Sequence, residues 1–216
     1  MLPSVCLAYA GYWRMEGAST DISGNGNNGA DTSVTYGTNY GKIGQGANGN
    51  NTTSKINFGQ ATSTKINGDL TISMWIYFTS ANNVMYTFSR TSSVSPYGMY
   101  NVQYYRDAAQ MTLLIFNTAG GSYFCTDNSV LTGKWYYFTA NISGTTITCY
   151  KNGIISTSTG TFIGTRSNLN ISTAAFCRSN DCNSPTSGNV DEIILDNTVW
   201  TSQKVKTMYS YYRGIF

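Results

Sequence analysis

Residues 70–78 constrain the fold more than any other stretch of the chain. Leu70, Ile72, Met74, Ile76 and Phe78 alternate with Thr71, Ser73, Trp75 and Tyr77. A period of two sends the two sets to opposite faces of a strand. Trp75 and Tyr77 on the second face imply that this face is partly covered as well. Similar short runs recur along the chain, separated by Gly, Asn and Ser clusters, which is the all-β pattern. They are Leu7 to Met15, Lys55 to Phe58, Ser63 to Ile66, Val84 to Ser89, Met99 to Tyr105, Met111 to Phe116 and Ser122 to Cys125. Trp135 to Ile142, Thr146 to Tyr150, Ile154 to Thr157, Ile171 to Cys177 and Val190 to Leu195 follow. Asn152-Gly153 joins two of these runs as a tight hairpin, because both turn positions need positive φ. A long polar loop is expected from Asp21 to Asn39. The one helix candidate is Thr201 to Tyr211, with Thr201 or Ser202 as its cap and Val205, Met208, Tyr209 and Tyr212 near helical spacing. About a dozen strands with almost no helix fit a closed barrel or a two-sheet sandwich. The 216 residues fit one domain, 1–216, since single β-sandwiches often run to roughly 200–250 residues.

Charged residues make up only 11 % of the chain, against about 25 % in ordinary soluble domains. Seventeen tyrosines and an excess of Thr, Ser, Asn and Gly take their place. Such a surface suits sugars or other proteins better than polyanions. The net charge is +3 and the basic residues are scattered, so the basic stripe that nucleic acid requires is missing. No apolar run approaches the roughly 20 residues of a membrane-spanning helix. Ala8-Tyr9-Ala10 resembles a signal cleavage site, but the segment before it is short and has no Lys or Arg. Met1 therefore reads as a true start without an export signal.

The five cysteines are Cys6, Cys125, Cys149, Cys177 and Cys182, an odd count that excludes complete internal pairing. Cys177 and Cys182 bracket a short polar loop and are candidates for a local disulfide; the others read as buried structural thiols. Zinc is disfavoured, because the chain has no histidine and no CxxC.

Three constellations carry chemistry. Asp21-Ile22-Ser23-Gly24-Asn25-Gly26-Asn27-Asn28-Gly29 is dense in the oxygen donors that hard cations take, without EF-hand spacing; it also reads as consecutive turns. Asp191 and Glu192 form the one adjacent carboxylate pair. In a regular strand they point to opposite faces, so they are expected to be structural acceptors or a cation ligand rather than a paired acid and base. Lys134 to Phe138, followed by Tyr150 to Gly153, reads as a Trp-anchored strand and a hairpin.

Together these segments resemble the concanavalin A-like lectin/glucanase superfamily in its laminin-G-like form. The resemblance rests on Tyr12, Trp13 and Glu16; on Asp21, Ser23, Gly24, Asn25, Asn27 and Gly29; and on Gly41, Lys42, Gly44, Gln45, Gly46 and Ala47. Thr71 to Trp75, Trp135, Tyr150 to Gly153 and Gly188 to Glu192 complete it. It runs in order from about Ala10 to Tyr209, and departs from relatives at Tyr136, where they often carry His. It implies an antiparallel two-sheet jelly-roll sandwich with a short C-terminal helix. It also implies one structural calcium ion, held by Asp21, Asn25, Asn27 and Asp191.

An enzyme is disfavoured. Glycosidases need two flanking carboxylates, and catalytic glucanases of this fold carry E-x-D-x-x-E on a strand. Here Glu16 and Glu192 are the only glutamates, and no histidine can serve as a base. Glycoside hydrolysis by distant Asp residues stays as a remote alternative. Two non-catalytic readings remain. One is a virion-surface component (such as a phage capsid decoration, neck or tail component) that self-associates or docks onto other virion proteins. The other is a freestanding extracellular or cell-surface module that binds glycans. Candidate sugar contacts are Tyr97, Tyr100, Tyr104, Tyr105 and Tyr123. A sugar binder should show an exposed aromatic flanked by polar groups in a groove; a packing subunit should show a broad flat apolar patch.

Overall fold

The computed structural model describes residues 9–50, 52–79, 84–177 and 187–214. Its strands are β1 (Gly11–Trp13), β2 (Ala30–Thr32), β3 (Thr35–Gly37), β4 (Gly46–Asn50), β5 (Lys55–Asn57), β6 (Leu70–Phe78), β7 (Val84–Thr91) and β8 (Gly98–Tyr105). They continue with β9 (Gln110–Phe116), β10 (Ser122–Asp127), β11 (Trp135–Ser143), β12 (Thr146–Lys151), β13 (Ile154–Thr161), β14 (Ala174–Ala175) and β15 (Ser187–Asp196). One helix, α1 (Ser202–Arg213), follows.

All the pairings are antiparallel, and hydrogen bonding runs in the order β2-β5-β14-β7-β8-β9-β10-β13-β12-β11-β6-β15-β4-β3, with β1 alongside β15. The link between β10 and β13 is the single pair Thr126–Ser158. There the path turns a corner, and two layers face each other in a jelly-roll sandwich. The core between them takes Leu70, Ile72, Met74, Ile76 and Phe78 from β6, and Tyr100, Val102 and Tyr104 from β8.

The period-two reading of β6 holds to the residue, and its second face is covered as expected. Trp75 lies in a second apolar cluster with Ile43, Tyr137 and Tyr212. Helix α1 supplies the cover. Thr201 caps it by accepting the Lys204 N–H at 3.1 Å, and Val205, Met208, Tyr209 and Tyr212 turn one face to the sheet. The Asn152-Gly153 hairpin has φ of 52° and 78°, and a Cβ on Gly153 would press the Tyr209 ring at 3.1 Å. Glycine is thus required there twice over, by backbone and by space.

Several expected elements differ. Residues 62–64 form a 3-10 turn instead of the Ser63–Ile66 strand. The expected strand at 171–177 shrinks to Ala174–Ala175. The loop expected from Asp21 to Asn39 contains two short strands, β2 and β3. β2, β3 and β14 are short and take their pairing from other segments, so local alternation does not set their limits.

The cysteine expectation also changes. Cys125 on β10 and Cys149 on β12 form a disulfide, with Cα atoms 5.7 Å apart, where buried thiols were expected. It ties the two layers together beside the corner. Cys177 is also disulfide-bonded; Cys182, and with it the expected Cys177–Cys182 pairing, lies outside the described residues.

Candidate functional site

The segments that carry the family resemblance gather into one structural knot. The backbone N–H groups of Lys42 and Ile43 both donate to Asp191 Oδ2 at 2.8 Å. Gln45 N–H donates to Glu16 at 3.1 Å. Gly44 has φ +60°, and a Cβ there would fall 2.2 Å from the Glu16 carboxylate, so only glycine lets the loop lie against it. Glu192 accepts from the Tyr12 hydroxyl, from Arg14 Nε at 3.1 Å and from Tyr212 at 3.3 Å.

A register shift between Asp191 and Ile194, with Glu192 at φ +49°, breaks the strand alternation. Asp191 and Glu192 therefore do not point to opposite faces. Both reach the layer beneath α1, Asp191 at Ile43 and Glu192 at Tyr212, two members of the same cluster. Both are buried. Desolvation raises the Asp191 carboxyl to about 8 and raises Glu192 as well. Their hydrogen-bond partners are the chain's own backbone amides and the side chains of Tyr12, Arg14 and Tyr212.

The first loop is likewise committed to the chain itself. Asp21 Oδ1 accepts the N–H groups of Tyr12 (3.0 Å) and Ser23 (2.9 Å), and Oδ2 accepts that of Asn27 (2.9 Å). Asn25 and Asn27 donate their amides to the carbonyls of Tyr9 and Ala10, and Asn27 Oδ1 accepts from Ser63. Asp191 makes its hydrogen bonds to the 42–43 backbone instead. Both Asp21 oxygens are thus taken up by the chain's own amides, whereas the buried Asp191 Oδ1 has no partner. Among the described residues no three acidic, Cys or His side chains converge on a point where a metal could sit.

The expected sugar contacts separate just as clearly. Tyr100 and Tyr104 are buried in the core. Tyr100 donates to the Thr64 carbonyl at 2.9 Å, and Tyr104 stacks on Phe78 at 4.1 Å. Tyr123 packs edge-on against Phe162 at 5.0 Å. Only Tyr97 and Tyr105, 39 % and 37 % exposed, reach an open surface, and both line the same groove.

This groove, of about 300 Å³, lies on the outward face of β7–β10. Tyr86, Asn101, Gln103, Leu114 and Phe116 form it together with the two tyrosines, and Thr91, Gly120 and Ser122 close one end. Register explains the composition. Asn101 pairs with Leu114, and Gln103 with Thr112, so each row across the sheet sets an amide beside an apolar or hydroxyl side chain. Asn101, Gln103 and Tyr105 are spaced by two and share a face. Asn101 Nδ2 donates to Gln103 Oε1 at 2.6 Å, and Gln103 Nε2 donates to the Tyr105 hydroxyl. Tyr97 sits at φ +62°, an uncommon conformation for a bulky residue. Sequence reasoning missed Asn101 and Gln103, although their alternation with Tyr100, Val102 and Tyr104 was there to read.

A laminin-G-type family model, described as Concanavalin A-like lectin/glucanases superfamily, matches residues 48–206. Comparison with curated proteins gives no match. Among solved structures, the botulinum neurotoxin serotype D ligand binding domain in complex with N-acetylneuraminic acid is similar, with a TM-score of 0.75 at 11 % identity over 96 % of this chain and 52 % of that one. The receptor binding domain of the C/D mosaic botulinum neurotoxin has a TM-score of 0.73 at 11 % identity, over 96 % and 52 %. Domain 4 of AbnA, an extracellular arabinanase from Geobacillus stearothermophilus in complex with arabinotriose, has a TM-score of 0.70 at 17 % identity, over 93 % and 98 %. The chain thus spans about half the length of the toxin domains and nearly the whole of the arabinanase domain. Sandwich, register and family match agree: this chain belongs to the concanavalin A-like lectin/glucanase superfamily.

Proposed function

We propose that the chain is a non-catalytic glycan-binding module whose sugar site is the groove on β7–β10. The observation that carries this reading is the pairing of two half-exposed tyrosines with a buried amide ladder in one concavity. Sugar sites combine apolar walls with a few placed polar groups, and this groove has both. Its described lining contains no carboxylate, so it offers no acid and base pair for glycoside hydrolysis. The complexes of similar folds with N-acetylneuraminic acid and arabinotriose support the sugar reading. The buried Cys125–Cys149 disulfide suits a module that meets an oxidising exterior, at a cell surface or on a particle.

The test is a glycan array followed by calorimetry on the strongest ligand. Tyr97→Ala and Tyr105→Ala should each weaken binding at least tenfold. Unchanged affinity in both variants would move the site elsewhere.

Attachment to a larger assembly, such as a virion surface, is a second reading. Ile154 and Ile155, 69 % and 53 % exposed, line a separate groove of about 390 Å³ with Asn128 and Lys151. Exposed apolar side chains of this kind are what subunit contacts use. Light scattering checks it: a concentration-independent monomer that does not co-sediment with particles counts against it.

A further inference from the structure

We infer that the groove selects neutral glycans and rejects acidic ones, because its open hydrogen-bonding positions call for hydroxyl groups and it offers no cation. The inference rests on the glycan-binding reading above and specifies its ligand class.

The ladder on β8 has a direction. Asn101 gives its amide hydrogen to Gln103, and Gln103 gives its own to the oxygen of Tyr105. Both amides are thereby fixed in orientation. At one end, the Tyr105 oxygen is occupied as an acceptor and its proton remains available to donate. At the other end, Asn101 Oδ1 has no partner, although the residue is only 3 % exposed. Thr91 Oγ1, in the same wall and 2 % exposed, is also unpartnered. Ten buried side-chain polar atoms among the described residues have no partner, and these two are set apart by sharing the wall of one groove, where a ligand can complete them.

A sugar hydroxyl fits both ends, since it donates to Asn101 Oδ1 and accepts from Tyr105. The apolar face of the ring fits the rings of Tyr97, Tyr105 and Phe116. A carboxylate or sulfate does not fit. It can only accept, so it would leave Asn101 Oδ1 unpaired and set two acceptors against each other. No Lys or Arg is among the described residues lining the groove, so the cost of desolvating the anion would go uncompensated.

The full chain is applied to an array of neutral pentose and hexose oligosaccharides beside sialylated, uronic acid-containing and sulfated ones. The strongest ligand is then titrated against the native chain, Asn101→Leu and Tyr105→Phe. Binding confined to neutral sugars is expected. Affinity should fall at least tenfold in Asn101→Leu and at least threefold in Tyr105→Phe, with no fall in melting temperature. Tyr105→Phe removes one hydroxyl from a 37 % exposed residue, taking from Gln103 Nε2 its acceptor but no core packing, so it remains informative if Asn101→Leu fails to fold. Equal or tighter binding of acidic glycans would overturn the selectivity and leave the glycan site standing. Native affinity in both variants would overturn the role of the ladder. No binding to any printed glycan would overturn the site along with the selectivity.

Discussion

The outward faces of the two layers are built from similar residues and come to opposite ends. On the β6–β11–β15 layer, Trp75 and Tyr137 are sealed under α1, where Tyr209 and Tyr212 close over them with ring centroids 5.2–6.0 Å apart. On the β7–β10 layer no described helix lies across the strands, and Tyr97 and Tyr105 stay half exposed around an amide ladder. Tyrosine serves both ends because it brings an apolar ring and a polar tip. Whether it packs or stays exposed depends on what lies above it. On the covered face Trp200 Nε1 donates to Asp196 at 2.6 Å and Lys204 sits 4.3 Å from the Trp200 ring, while the buried Trp75 Nε1 has no hydrogen-bond partner and lies outside the groove on β7–β10. On the open face the unpartnered atoms, Asn101 Oδ1 and Thr91 Oγ1, belong to residues that line a groove.

This contrast is broken most severely by emptying the covered face. Trp200→Ala should cost about 3–5 kcal/mol, the usual range for a buried large aromatic, and leave glycan affinity of the folded protein unchanged. Urea unfolding and calorimetry measure the two quantities; a parallel loss of affinity would mean that the faces are coupled. Removing the tie between the layers comes next. Replacing both Cys125 and Cys149 with Ala should cost about 2–4 kcal/mol, read from the urea midpoint.

A further effect depends on pH. Asp191 is raised from 3.8 to about 8, so between those values the folded chain holds a proton that the unfolded chain has released. Stability is therefore greatest below the unfolded value and declines as pH rises through the folded one. Asp191→Asn keeps an acceptor for the Lys42 and Ile43 amides, and it should flatten the fall in melting temperature between pH 4 and 8. A slope identical to that of the native chain would show that Asp191 is not the titrating group. The smallest stability change belongs to the open face. Tyr97→Ala should alter unfolding by no more than about 0.5 kcal/mol while still weakening sugar binding. A large loss of stability would show that the ring is a packing element after all.

Much of the fold was legible. Leu70 to Phe78 alternates without interruption, and Asn152-Gly153 and Thr201 carry local signals that need no distant partner. The open face was only half legible. Tyr100, Tyr104, Tyr105 and Tyr97 look equivalent in sequence. Alternation from Val102 could have placed Tyr100 and Tyr104 inside and turned Asn101, Gln103 and Tyr105 outward. Tyr123 could not be resolved in this way, because its inward position depends on Phe162, which is distant along the chain.

By itself, the amino-acid sequence determined the strand periodicity, the tight hairpin, the capped helix and the scarcity of acid and base groups, all of which are encoded within a few residues. Tertiary structure decided the rest. It joined Cys125 to Cys149 across the corner at Thr126–Ser158. It turned Glu192 to the same side as Asp191 through a bulge. It placed α1 over one sheet and left the other open. Each of these outcomes depends on which distant segment arrives as neighbour, and residue spacing along one strand does not encode that.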